Sequence, residues 1–131
     1  MIQMDVKPKY KAKKTKIIFF DIDDTLRVKL TGYMPESIKY VFKNLKEKGI
    51  MTGIATGRAL YGVVPEIRDL HPDFFVTING TYVVDNKESE IFSDPLPREL
   101  VEKYVNWAKS EGIEYGFTGK DKPVVSKRCD L

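Results

Sequence analysis

Ile17-Ile18-Phe19-Phe20-Asp21-Ile22-Asp23-Asp24-Thr25-Leu26 decides how the rest of the chain is read. Its first four residues are apolar without alternation, which predicts a short strand covered on both faces, as in a parallel sheet. The run ends abruptly in acids. Asp21 and Asp23 stand two apart, so at a strand end their side chains start out on one face. Ligands of open α/β sheets bind beyond the carboxyl ends of the strands, where these residues fall. Two carboxylates there can divide the work of a reaction, one as nucleophile or metal ligand and the other as general acid and base. The plainer alternative is a solvated acidic turn that caps a helix. A calcium loop of the EF-hand kind fits poorly, because Leu26 stands where that loop needs glycine.

Downstream, a polar and glycine-containing stretch runs from Arg27 to Tyr33, and Pro35 then opens a helix. Ile38, Val41, Phe42 and Leu45 recur at helical spacing, and Gly49 marks the stop. A second strand is expected over Ile50–Ala55, a helical segment over Ala59–Leu70 with a break or restart at Pro65, and a third strand over Phe74–Ile78. That is β-α-β-α-β across residues 17–78, one half of a doubly wound α/β sheet. From residue 81 the pattern changes. Thr81–Val84 and Glu90–Phe92 flank Asp85-Asn86-Lys87 as an antiparallel hairpin. Pro97 starts an amphipathic helix carrying Leu100, Val101, Tyr104, Trp107 and Ala108, stopped by Gly112. Ile113–Phe117 and Pro123–Val125 read as two short strands. A second structural unit is therefore expected from about residue 81.

Two more loops join the acidic one on the same sheet edge. Ala55-Thr56-Gly57-Arg58 ends the second strand and is expected to open a helix. There a hydroxyl, a glycine N–H and a helix N-terminus would cradle a phosphate, although Thr-Gly at a helix start is also an ordinary cap. Asn79-Gly80 ends the third strand, either as a simple turn or as the last part of a site rim. Arg58 could reach a phosphate or lie on a helix surface. His71, before Pro72, reads as structural or solvated, Cys129 as a free thiol, and Tyr104 and Trp107 as core or interface aromatics.

Charge separates an arm from a body. Lys and Arg total 22 against 19 Asp and Glu, a net +3, but residues 1–16 hold six lysines and one acid. The remaining residues, 17–131, are left with −2, so the basic character belongs to an expected mobile arm. No apolar run approaches the roughly 18 residues of a membrane span, and the first residues lead into lysines rather than a signal-peptide core. A single cysteine excludes an intramolecular disulfide and a cysteine-built metal cage. With 42% hydrophobic and 31% charged residues, the composition is that of an ordinary globular protein, for which a cytoplasmic setting is expected.

The three loops together resemble the haloacid dehalogenase-like (HAD) superfamily. Asp21-Ile22-Asp23-Asp24-Thr25-Leu26 looks like the D-x-D-x-T motif of its phosphatases. Ile54-Ala55-Thr56-Gly57-Arg58 is similar to the second motif as worded in the Cof-type subfamily, and Ile78-Asn79-Gly80-Thr81 resembles that subfamily's S/T-x-N-G segment leading into a mobile cap. The resemblance spans about residues 16–128. It implies an α/β fold: a partial Rossmann-like parallel-sheet core with the first part of an α+β cap. Residues 1–16 would form the basic arm, 17–80 the N-terminal half of the core and 81–131 an incomplete cap.

The resemblance also implies a reaction. Asp21 would attack phosphorus and form an aspartyl-phosphate, while Asp23 would protonate the leaving oxygen and then activate water. Thr56, Gly57, Arg58, Asn79 and Gly80 would surround the substrate phosphate, and Mg²⁺ would bridge Asp21, the Asp23 carbonyl and the phosphate. The substrate would be a small-molecule phosphate ester. Family members supply a later lysine and a G-D-x-x-N-D-like segment, and no such segment occurs here. Val125-Ser126-Lys127 is a superficial match to the lysine segment, in a position that suits a cap strand. The chain is thus expected to be truncated within the cap, weak or inactive as a phosphatase, and to cover an open sheet edge as a homo-oligomer or with a complementing second half. Two other readings stay open: a non-catalytic phosphate- or metal-binding remnant, and a nucleic-acid or membrane-surface binder acting through the lysine arm, with the acidic body weighing against the latter.

Overall fold

The computed structural model describes residues 12–127. Lys7, Lys9 and Lys11 of the basic arm and Cys129 lie outside the described residues. Thr15 N–H donates to the Ala12 carbonyl at 3.2 Å, closing a turn ahead of the first strand.

Strand β1 (Ile17–Phe20) is followed by helix α1 (Ser37–Glu47) and strand β2 (Met51–Ala55). A short 3₁₀ turn (Leu60–Gly62) and a single-turn helix α2 (Pro65–Arg68) then lead to β3 (Phe74–Thr77). The helical segment expected over residues 59–70 breaks at Pro65 as expected, and each side of the break is only a short turn. Val64, which precedes Pro65, is extended at φ −65° and ψ 150°, because the proline ring drives its predecessor out of the helical region. Pro65 restarts the chain at a helix N-terminus, where its missing N–H leaves nothing unpaired.

β1 pairs in parallel with β2, and β2 with β3, in the order β1-β2-β3. Asp73 clamps the start of β3 to β2: its N–H donates to the Thr52 carbonyl at 2.8 Å and its carboxylate accepts the Thr52 N–H at 2.9 Å. The hairpin strands β4 (Tyr82–Asp85) and β5 (Glu90–Ser93) extend the same sheet, β4 antiparallel to β3 and β5 antiparallel to β4. The result is one five-stranded mixed sheet with a parallel half. Asp85 closes the hairpin, its carboxylate accepting the N–H groups of Lys87 and Ser89.

The core gathers Ile22, Leu26, Phe42, Ile54, Ile67 and Phe75 between the sheet, α1 and the 59–70 segment. Phe20 and Phe42 meet at 5.0 Å between ring centroids, joining β1 to α1. β1 itself is not covered on both faces as its apolar run predicts. It is one of the two edge strands of the described sheet, and Phe19 is 48% exposed. The Phe19 ring leans over Gly53 of β2, where an added Cβ would fall 2.3 Å from it. Glycine there lets the ring lie against the neighbouring strand.

Helix α3 (Arg98–Ser110) and the two-stranded sheet of β6 (Gly116–Thr118) and β7 (Pro123–Val125) complete the described chain. Tyr104 packs edge-on against Tyr115 and Phe117, at 6.4 and 5.7 Å, so helix and strands share one aromatic contact. Among the described residues no helix is long and apolar enough to cross a membrane.

Candidate active site

Because β1, β2 and β3 run parallel, the loops that follow them emerge at one end of the sheet. The first loop winds around the Ile22 carbonyl, which accepts the N–H groups of Thr25, Leu26 and Arg27 at 3.4, 3.1 and 3.0 Å. The burial of Ile22 and Leu26, both almost fully enclosed, anchors this turn and leaves the acids between them outward. Asp21 is exposed, with Oδ1 accepting the Ile22 N–H at 2.8 Å. Asp24 adopts a left-handed φ of +61° and accepts the Lys29 N–H at 2.9 Å, so the third acid of the motif holds the loop.

The second loop is a hydroxyl-stabilised turn. Thr56 is buried, its N–H donates to the Val76 carbonyl at 2.9 Å, and its Oγ1 accepts the Arg58 N–H at 3.1 Å. The α-helix expected to open here is absent. Ala59 is extended and only the three-residue 3₁₀ turn follows, so no α-helix N-terminus contributes to a phosphate cradle. Polar donors at this loop are the Thr56 hydroxyl and the backbone around Gly57.

The third loop is stapled to the second by two backbone bonds. Ile78 N–H donates to the Arg58 carbonyl at 2.9 Å, and Asn79 N–H donates to the Thr56 carbonyl at 3.2 Å. Ile78, Asn79 and Gly80 are all left-handed, with φ of +49°, +54° and +93°. For a β-branched residue such as Ile78 this conformation is strained, and strain of this kind concentrates at functional sites. Asn79 Oδ1 lies 2.9 Å from where a Cβ on Gly57 would stand, so glycine admits the close approach of the two loops.

The strongest electrostatic contact of the rim joins the first loop to the second. Arg58 donates from Nε to Asp23 Oδ2 at 2.9 Å and from Nη2 to Asp23 Oδ1 at 2.7 Å, a bidentate fork. Its Nη1 donates to the Gly62 carbonyl at 2.9 Å. Asp23 is consequently held below the usual carboxylate range, first by hydrogen bonding from Arg58, against the opposing effect of burial, with the charges of Arg58, Lys29 and Arg27 adding to it. Arg58 is pushed up by the same carboxylate. The structure thus brings Asp21, Asp23, Thr56, Gly57, Arg58, Asn79 and Gly80 to one sheet end, and it adds the Gly62 carbonyl, which no sequence signal singled out. Lys127, by contrast, sits on the α3/β6–β7 unit in an exposed ion pair with Glu114 at 3.1 Å.

Among the described residues no three His, Cys, Asp or Glu side chains gather at one point. With both side-chain oxygens of Asp23 accepting from Arg58, a cation here would draw on the Asp21 carboxylate and the Asp23 main-chain carbonyl. Two hard oxygens, completed by water and ligand oxygens, suit Mg²⁺, which keeps several waters and takes one or two protein carboxylates. Beside the rim opens a cleft of about 990 Å³ lined by Asn79, Tyr82, Leu96, Leu100, Tyr104 and Phe117. Its size falls within the range of small-molecule sites.

Known proteins resemble this chain in sequence and fold. A Streptococcus pyogenes serotype M6 protein, named as a candidate bifunctional phosphatase/peptidyl-prolyl cis-trans isomerase, is 58% identical over 128 residues, 98% of this chain and 27% of that protein. A protein structure from Geobacillus kaustophilus HTA426 superposes with a TM-score of 0.77 at 35% identity, over 86% of this chain and 43% of the other. A sugar phosphatase of HAD subclass IIB superposes with a TM-score of 0.69 at 29% identity, over 85% of this chain and 44% of its own. The chain spans less than half the length of each of these relatives. Residues 18–129 match the haloacid dehalogenase-like hydrolases, and the chain belongs to that family.

Proposed function

We propose that this chain carries the nucleophile-bearing part of a Mg²⁺-dependent phosphoric monoester hydrolase that works through an aspartyl-phosphate. The observation that supports it best is that the loops after three parallel strands share one sheet end: the first carries the exposed Asp21 and is tied to the second by the Arg58–Asp23 fork, and the second is stapled to the third by backbone bonds. In the first half-reaction an Asp21 oxygen bonds to phosphorus as the bond to the leaving oxygen breaks, and Asp23, which must enter this step in its protonated form, supplies that oxygen with a proton. In the second, Asp23 takes a proton from water, which attacks phosphorus and releases Asp21 and inorganic phosphate. The Thr56 hydroxyl and the Gly57 backbone hydrogen-bond phosphoryl oxygens, while Asn79 and Gly80 close the rim and Arg58 stands beside it. The Asp21 carboxylate and the Asp23 main-chain carbonyl would hold Mg²⁺, which would supply charge neutralisation between a carboxylate and an approaching anion.

In this reading residues 17–80 are part of the catalytic core, whose sheet the 82–93 hairpin extends, the α3/β6–β7 unit is part of a cap rather than the whole of 81–131, and 1–16 are a basic arm, in a cytoplasmic protein. The substrate is a small-molecule phosphate ester. The 131 residues alone turn over slowly, since each missing electrostatic partner lowers the rate by about 10²–10³. The test is release of p-nitrophenol from p-nitrophenyl phosphate. Expected is slow, Mg²⁺-dependent turnover that Asp21→Asn abolishes; turnover indifferent to Asp21→Asn or to chelation would contradict the reading. Calorimetric binding of Mg²⁺ and phosphate without turnover would instead mark a binding remnant.

A further inference from the structure

The Arg58 side chain touches the first loop while its backbone belongs to the second and is bonded to the third. Nε and Nη2 donate to the two oxygens of Asp23 at 2.9 and 2.7 Å, and Nη1 donates to the Gly62 carbonyl at 2.9 Å. Its own N–H donates to Thr56 Oγ1 at 3.1 Å, and its carbonyl accepts the Ile78 N–H at 2.9 Å. The side chain is 27% exposed and that of Asp23 23%, so the fork is largely shielded from competing water. A guanidinium is planar and presents its donors in fixed directions, so two parallel bonds to one carboxylate set both the position and the rotation of that carboxylate. An arginine that clamps a phosphate keeps this fork for its ligand. Here the fork is taken by Asp23 and one N–H of the remaining terminal nitrogen by Gly62, so the paired donors that would clamp a phosphate face a carboxylate instead.

We infer that Arg58 is a positioning residue, which fixes the Asp23 carboxylate for proton transfer and locks three loops into one rim, rather than a phosphate ligand. The inference rests on the phosphatase reading for what Asp23 does, though not for the fork itself. It assigns different consequences to losing Arg58 and losing Thr56. Without Arg58 the phosphate site keeps its donors while Asp23 becomes free to rotate. Lysine is a poor replacement, because a single ammonium cannot hold both oxygens in one plane.

The test uses the whole chain, ¹⁵N-labelled, with inorganic phosphate and Mg²⁺ as the probe. The Arg58 Nε–H resonance is expected to move in Asp23→Asn. Phosphate affinity measured by calorimetry is expected to stay within about threefold of wild type in both Arg58→Gln and Arg58→Lys, whereas turnover of p-nitrophenyl phosphate falls about tenfold or more through kcat, with KM little changed and no rescue by lysine. An Arg58 resonance indifferent to Asp23→Asn overturns the inference, as does phosphate binding weakened more than about threefold in Arg58→Gln. Arg58→Lys keeps the charge and the long side chain, so the comparison survives if glutamine impairs folding. A wild-type chain that binds no phosphate and whose turnover ignores Asp21→Asn contradicts the phosphatase reading instead, and the Asp23→Asn resonance still decides the fork.

Discussion

Asp23 and Arg58 are 35 positions apart, and nothing local in either segment announces their fork. The acids after β1 and the Thr56 hydroxyl after β2 are legible because strand ends and residue types suffice to place them. Arg58 is different: a cation after a Thr-Gly turn could reach a phosphate, a carboxylate or solvent, and only the packing of two loops decides. The fork has a consequence for stability. A carboxyl whose pKa is lowered on folding stabilises the native state above its unfolded value, near 3.9, and loses that contribution as pH falls through the native value. With both side chains about a quarter exposed, Arg58→Ala is expected to cost about 1–2 kcal/mol near neutral pH. The difference from wild type should stay level from pH 7 to about pH 5 and shrink below about pH 4. Urea denaturation across that range measures it, and a penalty that persists undiminished in acid would show that the fork is not its source.

Among the elements, β1 and α1 follow from the sequence because a continuous apolar run and a helical spacing each point to one structure. The break of the 59–70 segment at Pro65 follows from the sequence too, but not how short the helical turns on either side of it are. That shortness matters at the site: the turn after β2 is built from Thr56 and a 3₁₀ segment, with no α-helix N-terminus behind it. The cover of β1 was equally hidden, because an apolar run states a requirement for neighbours without showing which neighbours are present. Phe19 meets part of that requirement by leaning on Gly53. Gly53→Ala is expected to push the ring off β2 and destabilise the chain by about 1–2 kcal/mol. In a double-mutant cycle with Phe19→Ala the two effects should be non-additive, as for residues in contact. Additive losses would mean that the ring and the glycine are not coupled.

At the scale of the whole molecule, two surfaces ask for partners. β1 is one of the two edges of the described five-stranded sheet, the one at its parallel end, and Leu96, Leu100, Trp107, Val124 and Val125 are each more than half exposed on the α3/β6–β7 unit and its linker. Unpaired edges of parallel sheets invite pairing with another chain. We expect the 131 residues to self-associate at micromolar concentration, and light scattering that finds a well-folded monomer would contradict this. The central claim, that Asp21 accepts a phosphoryl group, is tested most directly without turnover. Beryllium trifluoride mimics a carboxylate-bound phosphoryl group, and its bound state is visible by fluorine NMR. The account predicts a bound fluorine signal with Mg²⁺ in the wild-type chain and none in Asp21→Asn; a signal unchanged by that substitution, or no signal in the wild type, would contradict it.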